Sequence, residues 1–171
     1  MSGVAFAFHL DDIAARAGVS GWRQALSDLR PMLHDIGAEL ESSTLNRFET
    51  NIAPDGTAWK QSLHSKVTGM PTLVGEGNLR DSVHYVLDGD DAVVIGAGGV
   101  ARDYAAIHQV GGTITAKGDA LGFTLATGQF INVKSVDIPA RPYLGLSIED
   151  ETAIPQIAGE HVFRVAAQAA F

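Results

Sequence analysis

Apolar residues recur at Trp22, Leu26, Leu29, Leu33, Ile36 and Leu40, and Phe48 continues the stripe two turns on. Spacings of four and three place all of them on one face of an α-helix. Arg23, Asp28, Glu39, Glu41 and Arg47 fall on the other faces, so the sequence predicts a long amphipathic helix with one buried side. Pro31 interrupts it. A proline there removes a hydrogen bond and clashes with the carbonyl of Ser27. The stripe therefore either kinks or restarts as a new helix with Pro31 in its first turn. It should stop near Thr50, because Asn51 to Trp59 (NIAPDGTAW) is turn chemistry built on Pro54, Asp55 and Gly56.

The rest of the chain must cover that apolar face. Val4, Phe6 and Phe8 alternate with small residues and predict a short first strand, or an arm that becomes one on pairing. Asp11 to Gly18 suits two helical turns. Residues 60–76, with Gly69, Pro71 and Gly75, read as an exposed loop, and Gly77 to Val83 as a helical turn capped by Asn78. His84–Leu87 and Ala92–Ile95 are strands joined by the hairpin signal Asp88-Gly89-Asp90-Asp91. A short helix over Ala101–Gln109 is closed by Gly111-Gly112. Thr113–Thr115, Phe123–Leu125 and Phe130–Val133 are strand candidates in a hairpin-rich region. Ile138 to Tyr143 should be extended, because each proline disfavours the α conformation before it. Ser147 and Asp150 form a capping box for a final helix to about Ala169, whose regular part Pro155 is expected to delay. The order of elements predicts an α+β fold: antiparallel sheet and hairpins packed with a long N-terminal helix and a C-terminal helix.

The 171 residues suit one domain, with 1–19 as a candidate arm and 113–136 as a candidate projecting hairpin region. Lys and Arg number 12 against 20 Asp and Glu, a net charge of −8, which offers no bulk field for nucleic-acid phosphates. The absence of cysteine excludes disulfides, thiolate metal sites and a cysteine nucleophile. The start MSGVAFAFHL is too short and lacks the basic leader of a signal peptide, and no run is long enough to span a bilayer.

The nearest thing to a cofactor motif is Gly96-Ala97-Gly98-Gly99-Val100-Ala101 after the strand Val93–Ile95, the G-x-G-x-x-A pattern of dinucleotide sites. A small nucleotide-binding oxidoreductase is the alternative reading it supports. The following helix is short, no crossover to a parallel strand follows, and no acid ends a strand about twenty residues on, so a glycine-rich strand exit fits better. None of the six histidines has a metal-ligand spacing. Tyr104 and His108 share a helix face at i and i+4, with Gln109 next, which suits a half-buried aromatic–imidazole pair or an interface. Arg141, held extended between Ala140 and Pro142, can grip a carboxylate bidentately, in an internal ion pair or a subunit contact. Adjacent acids at Asp11-Asp12, Asp90-Asp91 and Glu149-Asp150-Glu151 suit solvated turns and helix starts. No catalytic constellation is apparent.

Four blocks taken together resemble a known family. They are Phe48 with Pro54-Asp55-Gly56 and Trp59; Leu73, Gly77, Leu79, Arg80, Ser82 and Val83; Val94-Ile95-Gly96 with Tyr104-Ala105, Ile107-His108-Gln109 and Gly111-Gly112; and Ile138-Pro139-Ala140-Arg141-Pro142-Tyr143-Leu144-Gly145. Their order is similar to that of the phage virion morphogenesis family, the tail-completion proteins of Mu-like and P2-like contractile-tailed phages and prophages. The sequence departs from the pattern at Glu76, where a threonine is expected, and over 113–136. The resemblance implies a structural protein with no enzymatic activity and no cofactor, acting at the head-proximal tail end or neck of the virion after assembly in the host cytoplasm. It implies a homo-oligomer, often a ring of six subunits, that docks to other tail or neck proteins without membrane or sequence-specific nucleic-acid binding. Tyr104, His108, Gln109, Arg141, Phe6 and Phe123 are the interface candidates. Rings close through head-to-tail contacts, and strand-forming arms around Phe6 and Phe123 can extend a neighbour's sheet.

Overall fold

A computed structural model describes residues 5–9 and 27–168, with backbone alone for 5–9. Trp22, Leu26 and the Asp11–Gly18 turns lie outside the described residues. The helix over the remaining stripe, α1 (Arg30–Thr50), begins afresh at the proline: Pro31 occupies its first turn, and Leu33 N–H donates to the Leu29 carbonyl at 2.9 Å. Asp28 Oδ1 accepts the Arg30 N–H, so one orphan donor of the helix start is met locally. Met32, Leu33, Ile36, Leu40 and Phe48 bury one face. Asn51, in the left-handed conformation, ends the helix.

The buried face of α1 meets a three-stranded antiparallel sheet of β1 (Ala5–His9), β2 (Val83–Asp88) and β3 (Ala92–Ala97), in the order β1-β3-β2. The pairs Val83–Ala97, Tyr85–Ile95 and Leu87–Val93 stand opposite one another, and Val93 and Ile95 are core residues. The alternating pattern of the sequence thus puts its apolar set on the helix side. α4 (Ile148–Gln168) also packs against α1. The fold is α+β, with the long and the C-terminal helix as expected.

Between these lie α2 (Leu63–Thr68), α3 (Arg102–Val110) and two small ladders. β4 (Gly112–Thr115) pairs with β7 (Ser135–Ile138), and β5 (Leu121–Thr124) with β6 (Phe130–Val133), one hairpin nested inside another. Most of their side chains are exposed or half-buried.

Four sequence expectations need correction. The 60–76 stretch is not all loop: Ser62 caps α2 by accepting the Ser65 N–H at 3.0 Å, a local bond that propensity alone understates. Asn78 makes no capping bond among the described residues. Its amide reaches Glu76, and Leu79 precedes the short 3₁₀ turn Arg80–Ser82. Pro155 does not delay α4, which starts at Ile148. The capping box holds the start, with Ser147 N–H on Asp150 Oδ2 at 2.8 Å and Asp150 N–H on Ser147 Oγ at 3.2 Å. Ile154, Ile157 and Ala158 then pack on the core around the proline, which offsets its lost bond. Finally, Arg47 is not on a solvated face but 5% exposed.

Candidate interface cleft

The segment from Ile138 to Gly145 runs through the molecule without regular pairing beyond β7, so its buried backbone groups need other partners. Side chains from three elements supply them. Arg47 Nη1 donates to the carbonyls of Tyr143 (2.8 Å) and Gly145 (2.9 Å). Gln109 Oε1 accepts the Tyr143 and Leu144 N–H groups, each at 3.0 Å, and its Nε2 donates to the Leu144 carbonyl at 2.8 Å. Trp59 Nε1 donates to the Pro142 carbonyl at 3.0 Å. Phe48, Trp59 and Tyr143 pack ring to ring beneath, with centroids 5.6 and 5.4 Å from Phe48. Tyr143 is fully buried, its hydroxyl donates to the Ala105 carbonyl, and burial pushes its pKa up to about 12.

This clamp fixes Arg141 at the base of an open cleft of about 800 Å³. The Arg141 N–H donates to the His108 carbonyl at 2.7 Å, and Nε donates to the Lys60 carbonyl at 2.8 Å. Gly111 makes the approach of the two chains possible. Its φ is +71°, and a Cβ there would stand 2.7 Å from the Ala140 nitrogen. The walls come from the 60–79 segment, from Tyr104 and His108 of α3, and from Phe123, Ile131 and Val136 of the small ladders. Tyr104 and His108 meet edge to face, centroids 5.9 Å apart. Burial, and then the charge of Arg141, lower the His108 pKa, and its Nδ1 is buried without a partner among the described residues.

Tyr104, His108, Phe123 and Arg141, four of the six interface candidates, therefore share one cleft. Gln109 lies behind it, 8% exposed, as a backbone clamp. The side chain of Phe6 lies outside the described residues; its backbone pairs with Ile95. Lys60, His64, Glu76 and Asp137 also line the cleft. Asp137 Oδ1 accepts the Thr113 hydroxyl at 2.6 Å. The internal ion pair open to Arg141 from sequence is not formed among the described residues. Sequence reasoning missed the clamp role of Arg47, although its place seven residues after Leu40 on the apolar stripe was a signal that it is buried.

Gly96 and Ala97 end β3, which runs antiparallel to both neighbours, and Gly98 leads into the 3₁₀ turn Gly99–Ala101. The parallel crossover that frames a dinucleotide site is not present among the described residues. No group of three His, Cys, Asp or Glu side chains that could hold a metal occurs among them, and no described helix is long and apolar enough to cross a membrane.

Comparison with known proteins gives one consistent direction. The family model described as the phage virion morphogenesis family matches residues 10–163. The chain is 31% identical over 131 residues to the Mu-like prophage FluMu G protein 2 of Haemophilus influenzae, covering 77% of this chain and 76% of that protein. No solved structure matches.

Proposed function

The chain belongs to the phage virion morphogenesis family, and from that premise we propose that it completes or terminates the phage tail, at its head-proximal end or at the neck. It acts by docking, first to copies of itself and then to other tail or neck proteins, and makes or breaks no bond in a substrate. The observation that carries this reading is the family match across residues 10–163.

The geometry supports it. The cleft is walled by exposed ladders and aromatic rings, and His108 and Arg141 are held together in it by the bond from the Arg141 N–H to the His108 carbonyl. Such a surface suits recognition of another protein. Phe130 and Phe123, at 62% and 36% exposure, keep aromatic area available on the β5–β6 ladder. Ladder edges offer backbone groups that a neighbour's strand can pair.

The test is deletion of the gene from the phage or prophage that carries it, followed by electron microscopy of the lysate. Heads and tails should accumulate unjoined, or tails should lack a finished end, and the purified protein should restore joining. Fully joined, infectious particles from the deletion would overturn the proposal.

A further inference from the structure

Two arginines of this chain are buried to the same degree, and they differ in what surrounds the guanidinium. Both Nη groups of Arg47 are fully used: two carbonyls, the Ser43 hydroxyl and the Asp150 carboxylate accept from them. Arg141 is also 5% exposed, yet only its Nε is used. Neither Nη has a hydrogen-bond partner, and no carboxylate lies within ion-pair distance, among the described residues. Glu76 and Asp137 stand on the cleft wall without reaching it.

A guanidinium drawn largely out of water without an acid is costly; its unpartnered Nη groups still open on the cleft, and the planar fork matches a carboxylate through two parallel N–H bonds. The cleft walls are mixed: Leu73, Phe123 and Ile131 supply apolar surface beside the polar and charged Lys60, His64, Glu76 and Asp137. The complement is therefore a carboxylate side chain with an apolar residue beside it. The chain itself is rich in that pattern. It has 20 acidic residues against 12 basic. On α4, Ile148 is 78% exposed beside the exposed Glu149, and Phe163 is 77% exposed one turn after Glu160. None of these residues lines the cleft.

We propose that the cleft is the receiving half of a subunit contact, in which Arg141 takes an aspartate or glutamate side chain of a second copy of this chain while the neighbouring apolar residue packs on Phe123. Donor and receiver are different surfaces, so the contact is head-to-tail and can close into a ring. This rests on the reading that the protein works as an assembly of copies, and names the site through which they join.

The test is sedimentation velocity on the full chain over a range of protein and salt concentrations, with thermal melts as the folding control. Wild-type protein should self-associate, and less so as salt rises. Arg141→Gln removes the fork. Phe123→Glu leaves every hydrogen bond of Arg141 in place and puts a competing carboxylate at the cleft mouth. Each should weaken association about tenfold or more, roughly 1.4 kcal/mol. If Arg141→Gln fails to fold, Phe123→Glu alone decides. A wild-type chain that stays monomeric throughout overturns the proposal, as does a folded Phe123→Glu or Arg141→Gln that associates like wild type. Normal association of both variants with failed incorporation into particles would assign the cleft to a different protein, and also overturns it. A monomeric wild type would also remove self-docking from the proposed function, whereas the variant results leave it untouched; tail completion itself is decided separately by the deletion.

Discussion

Arg47 and Asp150, 103 positions apart in sequence, meet at 2.5 Å between Nη2 and Oδ2, with the two side chains 6% and 2% exposed. The contact ties α1 to the start of α4, and the same carboxylate closes the capping box through Ser147. Arg47 reaches from that joint to two carbonyls of the segment that carries Arg141. A structural pair thus anchors the segment that carries the proposed docking site.

Removing one partner of this pair leaves the other charge buried. Asp150→Ala should cost about 3–5 kcal/mol in chemical denaturation. Arg47→Met with Asp150→Leu should cost less than the two single losses summed, because the stranded charge is gone. A double-mutant cycle measures the coupling, and an additive result would show that the ion pair contributes little beyond packing.

The aromatic cluster gives a second expectation. Phe48→Ala and Trp59→Ala should each destabilise the fold by about 3 kcal/mol, since both rings are buried. Their centroids are 5.6 Å apart, so the double variant should lose less than the sum. Urea unfolding midpoints at constant slope provide the readout.

Alkaline pH should unfold the protein through Tyr143. Its folded pKa is about 12 against 10.0 for the free side chain, so between these values the folded state holds a proton that the unfolded state has lost. Stability is full below pH 10 and falls as pH rises towards 12, by roughly 3 kcal/mol in all. Tyr143→Phe should flatten that limb of the stability–pH curve. An unchanged alkaline slope would refute the assignment.

His108 should act at the acid end. Burial and Arg141 lower its pKa below the ordinary 6.5, so the unfolded state binds a proton that the folded state resists. Its contribution is complete above pH 6.5 and is lost as pH falls below that value and through the lowered pKa. The difference between wild-type and His108→Gln melting temperatures isolates this group from the carboxylates. It should shift in favour of the variant on acidification.

Gly37 lies mid-helix, where alanine is ordinarily better by about 1 kcal/mol. Here the added Cβ would stand 2.6 Å from Tyr85 Cγ, near the root of a ring that also meets His34 edge to face. Gly37→Ala should therefore destabilise the fold, by about 1–3 kcal/mol. Tyr85→Ala in the same chain should remove most of the penalty.

Local patterns carried much of this architecture. The stripe from Leu29 to Phe48 fixed α1 because its spacing matches the helical period. Pro31 placed the start because its missing N–H is harmless only in a first turn. Asp88 to Asp91 set the hairpin, Gly111 the end of α3, and Ser147 with Asp150 the start of α4. Each depends on residues within one or two turns of one another. The family-like blocks hold Tyr104 and His108 in one and Arg141 in another, and folding brings the two blocks to one cleft.

Tertiary structure decided the rest. Arg47 stands seven residues after Leu40, so the helical period puts it on the buried stripe although its charge suggests a solvated face; α4 and the 138–145 segment supply the partners a buried guanidinium needs. Gln109 became a clamp because an irregular strand beside it lacked backbone partners. Whether Arg141 had an internal acid depended on which of the chain's many carboxylates folding brought near, and among the described residues none came within ion-pair distance. Sequence periodicity reports which neighbours a residue has along its own element. Burial and charge pairing depend on what packs across from it, over separations that no local pattern encodes.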